Sequence, residues 1–366
     1  MSSKTETPVS KKILIVSELS YPSYGGQEIR FMELGSYWAK SGHDVSMAVI
    51  DHTGELPEYE QLEGVKIYRL LKEPKYYKNG RFGRKLSTIF LFTLKLHKFF
   101  RQDYDIIIFN QFPVLPAIYH GLFFKSRKSK TVLDFVEHRS SKLWIKINKI
   151  LLKSTGSVVC ISKHVAECVG DYRRKNISVV PSLIKLENPE TAEQTSYLFL
   201  GRLEHHKHPE AAIEAILKYN EKYRENKNIK VLGGGTMYKG LVEKYGSNPS
   251  VTFFGRISDE EKIKALSESR LLVFPSEREG LPKTVIEAMA FGIPTVTTNY
   301  IDNGTKYFVE DEKIGLVAEP DIESIADAIR GVENDYSKFR QECLNKRSEY
   351  YLSNNAEKYL NLNMSA

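Results

Sequence analysis

Two carboxylates and two cations carry the chemistry that can be read from this chain. Glu279 and Glu287 lie in Phe274-Pro-Ser-Glu-Arg-Glu-Gly-Leu-Pro-Lys-Thr-Val-Ile-Glu-Ala-Met-Ala-Phe-Gly-Ile-Pro294, and Arg202 and Lys207 lie in Gly201-Arg-Leu-Glu-His-His-Lys207. A guanidinium offers a planar fork and an ammonium a compact charge, a pair suited to a diphosphate. The apolar run at 271–274 reads as a buried parallel strand, and a helix is expected with Pro282 in its first turn. Such a helix start presents unpaired N–H groups and partial positive charge to an anion. Carboxylates beside an anion site repel phosphate, so they suit the hydroxyls of a ribose or sugar. Phosphate and polyol together point to a nucleotide sugar. Taken singly, the same residues also fit a helix with one surface acid and one half-buried acid, and two solvated cations.

The elements that must hold these groups alternate along the chain. Apolar runs at 12–17, 45–50, 105–110, 131–136, 158–161 and 177–180 read as strands. A second series follows at 197–200, 229–232, 251–254, 271–274 and 295–298, with helical stretches between. The helix carrying Val285, Ile286, Met289 and Ala290 should stop at Gly292, with Pro294 beyond it. Ser162 reads as the cap of a helix that begins at Lys163. The pattern predicts an α/β chain with two doubly wound, Rossmann-like domains facing a central cleft, with ligands at the strand carboxyl ends. The expected divisions are a flexible tail at 1–10, an N-terminal domain at 11–186, a C-terminal domain at 187–340 that opens on a polar linker, and a helical tail at 341–366.

Glu279-x7-Glu287 followed by Ala-Met-Ala-x-Gly-x-Pro resembles the signature of retaining GT-B glycosyltransferases, family 4 in particular, and the likeness runs from about residue 13 to residue 329. The resemblance implies a GT-B fold and gives each residue a role. Arg202 and Lys207 would hold the donor diphosphate and stabilise the departing nucleotide. Glu287 would bind the ribose and Glu279 the hydroxyls of the transferred sugar. Gly280, Leu281, Lys283 and Thr284 form the helix mouth facing the diphosphate. Gly25 and Gly26, which lack the full G-x-G-x-x-G spacing, match a pair that lets backbone approach the donor phosphates or the acceptor. Gly255 and Ile257 would lie near the nucleobase, and His138 beside the transferred sugar. Two loops depart from the family pattern, Val180-Pro-Ser-Leu-Ile184 and Asn299-Tyr-Ile-Asp-Asn-Gly304.

The expected enzyme is a retaining, metal-independent hexosyltransferase without a cofactor. It would move a sugar from a UDP- or GDP-sugar to a glycan or lipid-linked glycan. A nucleotide-sugar epimerase or phosphorylase of the same fold is the alternative enzyme, and a non-catalytic sugar-nucleotide-binding subunit the alternative from another class. Asp103-Tyr-Asp105 leads straight into a strand and reads as a structural start rather than a metal motif. His205, His206 and His208 lack the spacing of metal ligands on one helix face.

The chain has 366 residues, 41% of them hydrophobic, enough for two cores. Cys160, Cys168 and Cys343 are without zinc spacing and read as reduced thiols. With no apolar leader visible, a cytoplasmic location is expected. The net charge of +7 is unevenly spread: residues 71–153 hold 18 Lys/Arg against 5 Asp/Glu, so the rest of the chain is net negative. Lys142, Lys146, Lys149 and Lys153 fall on one helical face, with Leu143, Trp144, Ile147, Ile150 and Leu151 between them. Two further basic-aromatic stretches run over 75–85 and 123–130. No nucleic-acid motif accompanies this charge, and the expectation is a peripheral protein docked on anionic lipid at the inner face of the membrane.

Overall fold

A computed structural model describes residues 10–22, 25–78, 83–124, 129–138, 141–173 and 175–362. Parts of the basic stretches at 75–85 and 123–130, and the tail at 1–9, lie outside the described residues. The chain divides into two compact units, Met1–Val180 with Asn355–Ala366, and Pro181–Asn354.

The first unit runs β1 (Lys12–Val16), α1 (Gly26–Lys40), β2 (Asp44–Asp51), β3 (Tyr59–Leu62), β4 (Val65–Lys72), β5 (Tyr77–Lys78), β6 (Gly83–Arg84), α2 (Leu86–Phe100), β7 (Ile106–Asn110), α3 (Leu115–Phe123), β8 (Lys130–Phe135), α4 (Lys142–Lys153), β9 (Ser157–Cys160), α5 (Lys163–Gly170) and β10 (Ile177–Val179). Eight strands form a sheet in the order β10-β9-β8-β7-β1-β2-β4-β3. All neighbours are parallel except β3 on β4. That hairpin, absent from the sequence reading, turns through Glu63 and Gly64, both at positive φ (47° and 86°), the geometry that matches the twist of a two-residue loop. The central strands are buried on both faces, which is why they read as unbroken apolar runs.

The second unit runs β11 (Ser196–Leu200), α6 (Pro209–Tyr223), β12 (Ile229–Leu232), α7 (Tyr238–Tyr245), β13 (Val251–Gly255), α8 (Asp259–Ser267), β14 (Ser269–Phe274), α9 (Lys283–Ala290), β15 (Thr295–Thr298), α10 (Thr305–Glu312), β16 (Gly315–Ala318), α11 (Ile322–Asn334) and α12 (Tyr336–Lys346). Its six-stranded parallel sheet has the order β13-β12-β11-β14-β15-β16. The order reverses between β11 and β14. A crevice for ligand opens at such a switch point, beyond the strand carboxyl ends.

The chain passes from the first unit to the second at Val180–Pro181, earlier than the polar stretch expected as the linker. Residues 187–194 belong to the second unit because their backbone is bonded there: Asn188 N–H donates to the Tyr351 hydroxyl (3.1 Å) and Ala192 N–H to Ser267 O (3.1 Å). The helical tail is also divided. The last helix, α13 (Leu352–Leu360), begins in the second unit's span, and from Asn355 the chain belongs to the first. There the Trp38 indole donates to Ala356 O (3.0 Å) and the Arg30 guanidinium to the Tyr359 hydroxyl (2.8 Å), Val180 O (2.6 Å) and Asp134 Oδ2 (3.1 Å). Tyr359 also donates to Asp134, and all three side chains are buried.

Candidate active site

In the second unit, the loops that leave β11 and β14 at the switch point carry Arg202, Lys207 and Glu279. Glycine lets adjacent strands end side by side. Gly233 has φ +132°, and a Cβ there would sit 1.9 Å from Gly201 O. Its own N–H donates to Gly255 O (2.8 Å) and Gly201 N–H to Leu232 O (3.0 Å), so backbone bonds tie the ends of β11, β12 and β13 together. Gly255 therefore has a backbone reason for being glycine, with φ +67°. Ile257 follows it, half-buried, just before Ser258, which caps α8 in a reciprocal box with Glu261.

The β11 loop makes a 3₁₀ turn at His205–Lys207. The β14 loop is fastened to it: Glu277 N–H donates to His206 O (2.8 Å), as does the Ser276 hydroxyl (3.1 Å). Lys207 reaches Glu279 in an ion pair whose side chains are both only 12% exposed, and its ammonium lies 5.2 Å from the Phe274 ring centroid. The Glu279 carboxylate also accepts from the Ser276 hydroxyl (2.8 Å). Its backbone is braced from the other side, where Glu279 N–H donates to Asp302 O (3.1 Å) and Gly304 N–H to Glu279 O (2.8 Å). A Cβ on Gly304 would meet Gly280 O at 2.6 Å, so only glycine permits this approach. Asn299-Tyr-Ile-Asp-Asn-Gly304 thus supports the site with backbone.

His206 reports the local field. Its pKa is pushed down to about 4, first by burial and then by the charges of Lys207, Arg278 and Arg202. The imidazole is neutral near pH 7 and sits among three cations. Arg278 escaped the sequence reading although it stands in the quoted motif between two acids. The contiguous histidines do not converge on a metal, and His208 stacks on Tyr300 with 5.2 Å between centroids.

Gly280 and Leu281 lead into α9, whose N-cap position is Pro282, one residue outside the helix rather than in its first turn. Among the described residues no side chain caps this helix, and Lys283 and Thr284 are its first two residues. Leu281 is buried, with its carbonyl accepting from the Ser182 hydroxyl (3.0 Å), and the Lys283 ammonium donates to Leu183 O (3.2 Å). The helix ends as expected, with Gly292 at φ +69° just beyond it. Glu287, one turn inside, pairs with Lys262 of α8 at 3.1 Å. Burial alone would lower the Lys262 pKa, but Glu287 and Asp259 outweigh it and hold the ammonium above its ordinary value. Nothing in the sequence tied Lys262 to Glu287, because the pairing depends on how α8 lies against α9.

The first unit holds the other candidates. Gly25 occupies the N-cap position of α1 and Gly26 is its first residue. His138 follows β8, with its ring parallel to Tyr172 at 6.2 Å between centroids. Its Nε2 is buried without a hydrogen-bond partner among the described residues. Buried Gln111, unassigned from sequence, fixes the approach to this histidine. Its amide donates to Glu137 O (2.8 Å), and its carbonyl accepts from Val136 and Glu137 N–H, both at 3.0 Å. Ser162 caps α5, accepting from Val165 N–H (3.2 Å), and Asp105 accepts from Lys12 N–H (2.7 Å) as a strand-start brace. Among the described residues, no group of three or more His, Cys, Asp or Glu converges as a metal site.

Comparison with known proteins agrees with this fold. The family described as Glycosyltransferase Family 4 matches residues 24–188, and Glycosyl transferases group 1 matches residues 184–350. An α-1,4-N-acetyl-D-galactosaminyltransferase of Campylobacter jejuni, named for a diNAcBac-PP-undecaprenol-linked substrate, is 33% identical over 172 residues. That match takes in 45% of this chain and 46% of the relative, so the chain spans about half the length of that protein. Sucrose-phosphate synthase from Thermosynechococcus elongatus has the same fold, with a TM-score of 0.77, 20% identity, and 96% of this chain and 98% of that one covered. HepE of Anabaena, solved with UDP and glucose, superposes with a TM-score of 0.71 at 14% identity over the same shares of the two chains. The chain belongs to the family 4 glycosyltransferases of GT-B fold.

Proposed function

We propose that the protein is a retaining, metal-independent hexosyltransferase. It moves a sugar from a UDP- or GDP-sugar to a hydroxyl of a glycan or lipid-linked glycan. The carrying observation is the meeting of Lys207 and Glu279 at the switch point of the second unit, with Arg202 and Arg278 close enough to depress His206. A charge-rich, half-buried crevice beside an uncapped helix start suits a diphosphate, and carboxylates at its edge suit hydroxyls.

In this reading Arg202, Lys207 and the mouth of α9 at Gly280, Leu281, Lys283 and Thr284 hold the diphosphate, and Glu287 takes the ribose. Glu279 and His138 take hydroxyls of the transferred sugar, Gly255 and Ile257 flank the base, and Gly25 and Gly26 admit phosphate or acceptor. The bond from the anomeric carbon to the diphosphate oxygen breaks as the acceptor oxygen bonds the same face. The acceptor proton passes to the leaving diphosphate. Cations fixed before the reaction stabilise the charge that builds there. The acceptor class draws on the relative named for an undecaprenol-diphosphate-linked saccharide. Lys142, Lys146, Lys149 and Lys153 would then face anionic lipid at the inner leaflet.

The test is a donor panel with and without acceptor, in EDTA, with the anomeric configuration of the product read by NMR. Transfer with retention in EDTA is expected. Inversion, a strict need for magnesium or manganese, or conversion of the donor sugar without acceptor would each overturn the corresponding part.

A further inference from the structure

The outer surface of α2, α3 and α4 combines two properties that seldom coincide. α2 is apolar nearly all round. Its inner side buries Ile89, Phe92, Leu96, Phe99 and Phe100, while its outer side exposes Leu86 (78%), Phe90 (55%), Leu91 (51%) and Leu94 (44%). A helix apolar on every side is normally covered on every side. α3 packs beside α2 and α4 beside α3. The α3 end adds exposed Leu122 and Phe123, reached from α2 through Tyr119, whose hydroxyl meets His97 Nδ1 at 2.8 Å and whose ring lies 4.8 Å from Phe123. Of the sixteen large apolar side chains exposed among the described residues, eight lie on these three helices. This is the concentration that marks an interaction surface.

The second property is charge. The three helices contain six lysines, Lys95, Lys98, Lys142, Lys146, Lys149 and Lys153, and no Asp or Glu. On α4 the exposed face carries Lys142, Leu143, Lys146, Lys149, Ile150 and Lys153, so cations and apolar groups alternate on one side. Trp144 and Ile147 are half-buried, with Trp144 against Phe112, and Leu151 is fully buried, so the usable apolar surface of α4 is narrower than its sequence implied.

We infer that the outer face of α2–α3–α4 docks on an anionic lipid bilayer, with the Leu86, Phe90 and Leu94 side chains entering the interface and the lysines meeting headgroup phosphates. This rests on the reading of the acceptor as membrane-borne. A second copy of the chain is disfavoured by charge: a self-complementary contact would set lysines against lysines with no carboxylate on these helices to pair them. Nucleic acid would satisfy the lysines and leave the leucines and Phe90 in water. A bilayer with anionic headgroups satisfies both.

The test uses the full chain, with vesicles of phosphatidylcholine alone or mixed with phosphatidylglycerol. Phe90→Trp should show a blue-shifted emission on adding phosphatidylglycerol vesicles and be quenched by brominated acyl chains, beyond the response of the parent with Trp38 and Trp144. The exposed triple variant Leu86→Gln, Phe90→Gln, Leu94→Gln should bind vesicles roughly 10-fold or more weakly, because its apolar side chains are gone. Release of UDP or GDP from nucleotide sugars is followed in parallel. An unshifted, unquenched signal from the Phe90→Trp variant, a triple variant that sediments like the parent, or a concentration-dependent dimer abolished by the triple variant would overturn the docking face. If nucleotide release persists in those cases, the transferase reading stands. Vesicle binding with no donor turnover would instead sink the transferase reading and leave the docking face.

Discussion

The second unit and the outer helical face of the first manage positive charge in opposite ways. In the second unit cations meet carboxylates: Lys207 with Glu279, Lys262 with Glu287 (3.1 Å), Lys222 with Glu323 and Asp327 (2.8 and 2.6 Å), and Lys244 with Glu210 (2.7 Å). On α2, α3 and α4 six lysines stand without an acid in any of the three helices. Paired charges are held in place and act at short range, which suits recognition of one ligand geometry. Unpaired charges act over about a Debye length, roughly 8–10 Å in physiological salt, and suit a diffuse anionic surface. A single net charge for the chain hides this division.

The largest expected effect is at the paired end. Lys207→Ala should lower turnover by roughly 10²–10³-fold, the scale of losing one preorganised group at a developing charge, with a smaller change in donor affinity. Glu279, only 12% exposed, would lose its partner, so thermal unfolding of Lys207→Ala and of Lys207→Ala/Glu279→Gln must be measured beside the kinetics. Recovered stability without recovered turnover is the expected outcome. Equal loss of turnover and donor affinity would break the assignment. Next, Glu287→Ala should weaken donor binding by about 1.5–3 kcal/mol, the worth of a charge-assisted hydrogen bond, as read by calorimetry with native circular dichroism. Because Lys262 loses one of the two acids it pairs with at 3.1 Å, keeping Asp259, Lys262→Gln/Glu287→Gln separates the donor contact from the ion pair.

On the unpaired face a single change should matter less. Lys146→Gln should cost about 1 kcal/mol of vesicle affinity, and the difference should vanish at high salt. A salt-independent loss would show that Lys146 acts through packing, which would blur the contrast between the regions. The smallest effect is spectroscopic. Between pH 6.5, the ordinary histidine value, and about 4, the unfolded chain holds a proton on His206 that the folded chain does not. His206 therefore makes stability fall as pH drops through that window. Adding UDP should raise the His206 pKa seen by NMR, because the diphosphate offsets Lys207, Arg278 and Arg202. A value unmoved by UDP would place the anion elsewhere.

Much of this organisation was legible in the sequence, and the parts that were not share a cause. The strand at 271–274, the stop at Gly292 and the Ser162 cap depend on neighbours a few residues away, so local pattern sufficed. Arg278 was visible but lacked a partner in sequence to give it meaning. Lys262 on Glu287 and Gln111 beneath the His138 loop depend on which elements lie side by side. Periodicity does not encode that. The run Ile89-Phe-Leu-Phe-Thr-Leu94 on α2 is too short and too soon interrupted by lysines to span a membrane, and the sequence does not tell its outer side from its inner one. No helix among the described residues is long and apolar enough to cross one. Its two-sided character emerged once one side was seen to be covered.

The knot of Arg30, Asp134 and Tyr359 bears on how the chain is made. Val180 O, where the chain leaves the first unit, and Tyr359, where it comes back, both accept hydrogen bonds from the same guanidinium. The first unit is a discontinuous domain: residues 1–180 precede the second unit in the chain, yet Trp38 lacks its acceptor, and Arg30 one of its three, until α13 has been synthesised. The second unit lies wholly between those endpoints, so the part translated later can be completed earlier, and the first unit waits on α13 for closure.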